Sequence, residues 1–453
     1  MNPYEFVDAN RKVFIEELKE LLRIPSISTM SEHKGDIRRA AEWLKEHLES
    51  IGMQRAELVE TPGNPIVYAE WLGAGDAPTV LIYGHYDVQP ADDADNLWLS
   101  NPFEPEVRDG NLYARGATDD KGQTFTQIKA IQSLLTNDRM PVNVKFIIEG
   151  EEENGSTNLY PFVEQHADLL AADVVVVSDT NMLGLERPSM VVGLRGIVSM
   201  EIEVRGPSHD LHSGMYGGLV HNPAQALVHI LAAMHDEHGH IMVPGFYDRV
   251  REVDEAERAE LAKTPFTLER LQRETGVDVA WGEPEFAPHE RIGIRPTLEI
   301  NGLVSGWTGE GGKTVLPAKA LAKVSCRLVP DQTPDEIYRL VRDYVASITP
   351  QTVASEVRKL HEGMWAVVDT ESPYMQAAVR AYEFGFGKRP IFVREGGSIP
   401  IVGSFQQHLN APVILMGFGL PDDGLHGPNE KYSLHCFDRG MKTAIKFYEE
   451  LDG

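Results

Sequence analysis

Cysteine is nearly missing from this chain: Cys326 and Cys436 are the only two in 453 residues. That scarcity argues against a disulfide framework and excludes a zinc site of the CxxC type. Basic charge is also short, with 42 Lys and Arg against 69 Asp and Glu and a net charge of -27. Such a balance speaks against a nucleic-acid backbone or an anionic membrane as partner and favours solubility and cation capture. No apolar run approaches the length of a membrane span, and the opening MNPYEFVDANRKVF has no apolar signal core. A reducing, cytoplasmic home is the expectation. Internal repeats and low-complexity segments are lacking as well.

What is present is a chain long enough for two or three domains. Phe6, Val7, Phe14, Ile15, Leu18, Leu21 and Leu22 recur at helical spacing until Pro25 stops them. A second amphipathic helix carries Ile37, Ala40, Ala41, Leu44, Leu48 and Ile51 and is expected to close at Gly52. The apolar runs IVYAEWL, TVLIYGH, VNVKFIIEG and DVVVVSD read as strands, with a helix over 123–135 between the second and third. Strands alternating with helices predict an α/β fold with a mostly parallel, buried sheet flanked by helices.

After Asp179 the texture changes. SMEIEVRG alternates as a half-exposed antiparallel strand does, a helix over 223–234 follows, and RPTLEINGL and KALAKVSCRLVP read as strands before a helix over 334–348. The acidic stretch 250–288 predicts short surface helices, and 245–288 carries no usable motif. Helices over 374–384 and 436–451 around the run APVILMG then restore the first texture. The organisation expected is a discontinuous catalytic domain, residues 1–194 and 367–453, interrupted by an inserted α+β domain over 195–366.

Five residues of metal-ligand type, His85, Asp119, Glu153, Asp179 and His426, follow strand-like runs or sit in loops beside them, where an α/β sheet offers its loops to a ligand. Two imidazoles and three carboxylates suit a pair of divalent ions bridged by one carboxylate, the equipment of a two-metal amide hydrolase. In GHYDVQP, side-chain alternation puts His85 and Asp87 on one side, so that Asp87 can accept a hydrogen bond from the imidazole. In LYARGATDDKG, Asp119 is assigned the bridging position while Asp120 supports the turn into a helix. IIEGEEENGS holds four glutamates in five positions. A solvated acidic loop is the ordinary reading of such a run, but the apolar strand before it delivers these acids to the sheet end of His85. Consecutive residues there can supply one ligand and one general base. Each signal is weak in isolation; five in compatible positions reinforce one another.

The motifs GHYDVQP, GATDDKG, EGEEENGS, DLHSGMYGG and REGGSIP, between LLRIPSIS and HGPNEKYSL, resemble those of the co-catalytic metallopeptidases. That group includes carnosinase-type dipeptidases, succinyl-diaminopimelate desuccinylase, aminoacylase and carboxypeptidase G, and the carnosinase and cytosolic nonspecific dipeptidase branch is the nearest in motif. The resemblance implies that His85 and Asp179 bind one ion, Glu153 and His426 the other, and Asp119 both, with a cis peptide to Asp120. It makes Glu152 the general base and Asp87 the residue that orients His85. The inserted domain becomes a lid and dimerisation domain whose His212 reaches the partner's substrate in trans in a homodimer. Thr314, Arg327, Gly397 and Ser398 become substrate clamps, while His361 sits in a pattern that departs from the family.

The ions implied are Zn²⁺ first, with Mn²⁺ or Co²⁺ as alternatives. An Asp after VVVVS resembles the dipeptidase and aminopeptidase side of the family, so hydrolysis of short peptides with free termini is the expected reaction. Two readings compete with it. An N-acyl amino acid deacylase or desuccinylase would use the same site, and a non-catalytic metal-binding protein would keep the fold without turnover.

Overall fold

The computed structural model describes residues 1–91, 97–263, 266–397 and 399–451. The chain forms two compact units, one of Met1–Val192, Val368–Val393 and Ile401–Gly453, the other of Gly193–Val367 and Arg394–Pro400. Arg394–Pro400, placed by the sequence reading in the second part of the catalytic domain, thus folds with the inserted segment; there Arg394 pairs with Glu257.

In the first unit, the strands Asn143–Glu149, Thr79–His85, Val174–Val177 and Val413–Leu415 lie side by side and parallel. Antiparallel strands continue the sheet on both sides: Ile66–Trp71 and then Arg55–Val59 at one edge, and Ser189–Leu194 next to Val413–Leu415. Val80, Leu81, Ile82 and Val174 to Val177 are fully buried, which is why their segments read as continuous apolar runs rather than alternating ones.

Helices cover this sheet. The helix Pro3–Leu22 starts with a capping box between Asn2 and Glu5. Lys34–Ser50 packs on the two edge strands and is followed by Gly52 at φ +100°, a backbone that suits glycine. Lys121–Thr136 lies against Thr79–His85 and is enclosed by Pro3–Leu22 and Leu434–Glu450, so that even its Lys121, Gln123, Thr124 and Gln127 are buried. Its close approach to the sheet requires Gly84, because a Cβ there would lie 1.8 Å from Thr124 Oγ1.

The second unit holds a four-stranded antiparallel sheet in the order Thr297–Ser305, Lys319–Leu328, Gly196–Arg205, Ala354–Gly363. Val198, Met200, Ile202 and Val204 point to one face and form a core with Leu227 and Ile230 of the helix Pro223–Ala232 and Ile337 and Val341 of the helix Pro334–Ile348. The other face is polar; Glu201 there pairs with Arg358 at 2.6 Å. The alternation in SMEIEVRG is this two-faced environment. The strand Ala354–Gly363 was not foreseen, since its ASEVRKLHEG carries few apolar residues to alternate. Short helices at Glu255–Leu261 and Leu268–Thr275 occupy the acidic stretch as expected. No helix among the described residues is long and apolar enough to cross a membrane.

Candidate active site

Parallel pairing aligns the ends of the central strands, and the first unit gathers its polar side chains there. His85 is the last residue of Thr79–His85, and Asp179 lies two residues past Val174–Val177. Glu152 and Glu153 form a single turn just beyond Asn143–Glu149. Asp119 precedes the buried helix Lys121–Thr136, and the Asp119–Asp120 peptide is cis. His426 sits in the loop after Val413–Leu415 at φ +59°.

These residues fall into two sets. His85, Asp119 and Asp179 form one and Asp119, Glu153 and His426 the other, the ligand atoms within each set lying no more than 4.8 Å apart. Asp119 belongs to both: its Oδ1 is 3.2 Å from His85 Nε2 and its Oδ2 is 3.0 Å from His426 Nε2. His426 Nε2 is also 3.3 Å from Glu153 Oε2.

The His85 ring is turned by a specific partner. His85 Nδ1 lies 3.0 Å from the main-chain carbonyl of Asp87 and 3.3 Å from its Oδ1, so a proton on Nδ1 leaves the Nε2 lone pair facing Asp119. The Asp87 carboxylate also accepts the amide N–H groups of Glu152 at 3.2 Å and Glu153 at 3.1 Å. One buried acid therefore ties the imidazole of one set to the turn that carries the acid of the other.

The electrostatics are those of crowded buried acids. Burial, reinforced by Asp120, pushes the Asp179 carboxyl well above its ordinary value. Burial likewise lifts Glu152 to about 7, with His85 opposing and Glu153 adding to the shift. For Asp119 burial acts upward too, but the two imidazoles outweigh it and hold the carboxyl low. Hydrogen bonds to Asp119 and Glu153 raise His426 to about 10, and those to Asp119 and Asp87 raise His85 in spite of its burial. Such a cluster calls for compensating positive charge. Three carboxylates and two imidazoles in two sets with a shared member fit two divalent ions of the Zn²⁺, Mn²⁺ or Co²⁺ type.

The acidic run around the turn proves to be divided by task. Glu149 is buried and accepts from Tyr83 and Ser156, both at 2.8 Å. Glu151 accepts from the Asn64 amide at 2.9 Å and Asn158 Nδ2 at 2.8 Å. Glu153 joins the second set, and Glu152 belongs to neither set. The first two are tied into the fold by these bonds, and no count of glutamates could separate them from the others.

Sequence reasoning overlooked several contributors. Gln89 donates to Glu153 Oε2 at 2.7 Å, and Asp120, expected only to support the turn as it does by accepting from Thr124 Oγ1 at 2.6 Å, also accepts the His85 amide at 3.2 Å. Arg115 and Glu430 form a buried ion pair at 2.7 Å next to Asp119. All stand inside or beside the motifs already singled out, and that adjacency was the available signal.

The remaining candidates belong to the second unit. His212 ends the short strand Leu211–His212, which pairs with Val315–Leu316; it is exposed, and its Nδ1 accepts the Gly214 amide at 3.0 Å. Thr314 is exposed on the same ribbon, where its carbonyl accepts the Ser213 amide at 3.1 Å. Arg327 lies on Lys319–Leu328, and burial lowers its guanidinium from the usual value. Gly397 follows the strand Ile391–Glu395, and Ser398 lies outside the described residues. His361 Nε2 is 3.0 Å from Ser199 Oγ on the neighbouring strand.

A parallel-centred α/β sheet ending in two ligand sets with a common carboxylate defines the class: a mixed α/β protein with a candidate dinuclear metal centre. Comparison with known proteins makes this specific. The model of peptidase family M20/M25/M40 matches residues 81–450, and the chain belongs to that family. It is 34% identical to the Cys-Gly metallodipeptidase dug1 of Schizosaccharomyces pombe, over 99% of this chain and 97% of that one. Among solved structures, human carnosine dipeptidase 1 superposes with a TM-score of 0.86 at 30% identity, covering 99% of this chain and 98% of that one. The M20 family metallo-carboxypeptidase Sso-CP2 of Sulfolobus solfataricus superposes with a TM-score of 0.89 at 31% identity, covering 97% and 99%.

Proposed function

We propose that the protein is a metal-dependent dipeptidase that hydrolyses the amide bond of short peptides with free termini. The observation that carries this reading is the pair of ligand sets sharing Asp119, in a chain similar along its whole length to a named metallodipeptidase. His85 and Asp179 would hold one divalent ion, Glu153 and His426 the other, and Asp119 both, with Zn²⁺ first and Mn²⁺ or Co²⁺ as alternatives. Two ions held there would polarise the scissile carbonyl and lower the pKa of a water at the site.

The chain's own residues do the rest. Glu152, the acid of the turn that neither set uses, takes the proton of the attacking water and returns it to the leaving amine. Asp87 supports it from behind by binding the Glu152 amide and by keeping the His85 proton on Nδ1. The second unit is assigned the lid and dimerisation role, with Thr314, Arg327, Gly397 and Ser398 gripping the substrate. A guanidinium with a planar fork is suited to the peptide's terminal carboxylate. His212 acts in trans in a homodimer; its exposure, with its Nδ1 bonded to the Gly214 amide of its own turn, supports an external target. A cytoplasmic setting agrees with two buried, unpaired thiols.

The test is hydrolysis by chelator-stripped protein given back Zn²⁺ or Mn²⁺, using free dipeptides, N-acetylated amino acids and longer peptides. Metal-restored cleavage of free dipeptides is the expected result. A preference for blocked amino acids would establish a deacylase, and removal of single residues from longer peptides would match the carboxypeptidase neighbour. Silence on every substrate would establish a metal-binding protein without turnover.

A further inference from the structure

The two ligand sets are held in different ways. In the first, His85 closes a sheet strand, the amide of the following Tyr86 bonds the Glu149 carbonyl at 2.8 Å, and Asp179 follows a fully buried strand. In the second, His426 rides on a loop with a left-handed backbone, and its side chain is 57% exposed. Where His85 is held by its strand, that loop is held by side chains as well: Asp423 and Asn429 bind Thr118 and Leu97, and two further groups join in.

Those groups are Glu430 and Arg115, neither of which belongs to a ligand set. The Glu430 carboxylate is fully buried and accepts four hydrogen bonds. Its Oε1 takes the amides of Thr118 at 3.0 Å and Asp119 at 3.1 Å; its Oε2 takes the Gly116 amide at 2.9 Å and Arg115 Nη1 at 2.7 Å. Arg115, itself 2% exposed, extends its second nitrogen to the carbonyls of Pro90 at 3.1 Å and His426 at 3.2 Å. Four donors saturate a carboxylate, and the guanidinium fork spans two loops that a single-point cation cannot. The pair thus ties the main chain of Asp119 to the main chain of His426.

We infer that Glu430 and Arg115 are positioning residues that set the affinity of the Asp119, Glu153 and His426 set for its divalent ion, while the His85, Asp119 and Asp179 set depends on them far less. This rests on the dinuclear reading proposed above. Loss of a supporting contact to a metal ligand changes metal affinity or activity by about 10–100-fold, and here the change should fall on one ion of the two.

Calorimetric titration of the metal-free protein with Mn²⁺ tests this in wild type, Glu430→Gln and Arg115→Lys. In Glu430→Gln, one acceptor oxygen becomes an amide NH2 that faces donors in either orientation, the Gly116 N–H and the guanidinium or the Thr118 and Asp119 N–H groups. Arg115→Lys keeps the charge but loses the fork to Pro90 and His426. Wild type should bind two ions per chain; both variants should keep one ion at wild-type affinity and hold the other at least about tenfold less well. If Glu430→Gln does not fold, Arg115→Lys decides alone. Folded variants that take both ions with wild-type affinity, or that lose both equally, overturn the inference. A wild type that binds fewer than two ions overturns the dinuclear reading, and the positioning role falls with it.

Discussion

The two units carry their candidate residues in opposite ways. In the first, His85 and Asp87 are fully buried, and Asp87, Asp119 and Asp120 each have a partner drawn from a different segment of the chain. In the second, His212 and Thr314 stand exposed on a two-stranded ribbon, and the His212 ring accepts the Gly214 amide of its own turn. A side chain enclosed in a dry network has a field strong enough to hold ions and shift protons. An exposed one has little to act on unless something arrives from outside. The difference agrees with the proposal that chemistry belongs to the first unit and recognition to the second.

The contrast is tested hardest at Glu152. Replacing it by Gln should lower kcat by about 10²–10⁴ while both ions are retained, measured by turnover of a free dipeptide alongside metal content. A comparable loss with an ion missing would make Glu152 a ligand. His212→Ala should cost about 10²–10³ in kcat with no change in metal binding. Mixed and subunit-exchanged with Glu152→Gln, it should recover activity, since each mixed dimer holds one intact site. No recovery despite exchange would return His212 to a role within its own chain.

Asp87→Asn should give a smaller loss, about 10–100-fold in metal affinity or activity, because it supports groups in both sets rather than acting on substrate. A loss confined to KM would contradict that support. The smallest effect is one of stability. Burial first, and then Lys129, lowers His47 to about 3. The unfolded chain therefore takes up a proton near pH 6.5 that the folded chain refuses, and stability falls as pH drops from about 6.5 towards 3, by up to about 1.4 kcal/mol per pH unit. In His47→Phe this slope should be reduced in urea unfolding curves recorded between pH 4 and 7. An unchanged slope would place the acid sensitivity elsewhere.

Much of the first unit was legible in advance because its helices are periodic and its central strands are unbroken apolar runs. The runs of Thr79–His85 and Val174–Val177 could be little else than buried strands, and ligand-type residues at their ends follow from the way parallel sheets present loops. The strand Ala354–Gly363 escaped notice because most of its side chains lie on an open edge with little apolar signal. What escaped notice in the acidic turn was the structural task of Glu149 and Glu151. Glu149 and Glu151 differ from Glu152 and Glu153 only in which distant side chains reach them.

Local pattern by itself determined the kinds of element, their order and the residue types available for metal chemistry, since 3.6 and 2 residue periods and side-chain donor atoms are properties of short segments. Tertiary structure alone decided that Asp119 stands between two imidazoles, that Asp87 binds the glutamate turn, and that Arg115 meets Glu430 across 315 positions of chain. Such contacts join residues whose separation leaves no periodic trace, and a buried charge reveals its partner only after the chain has closed around both.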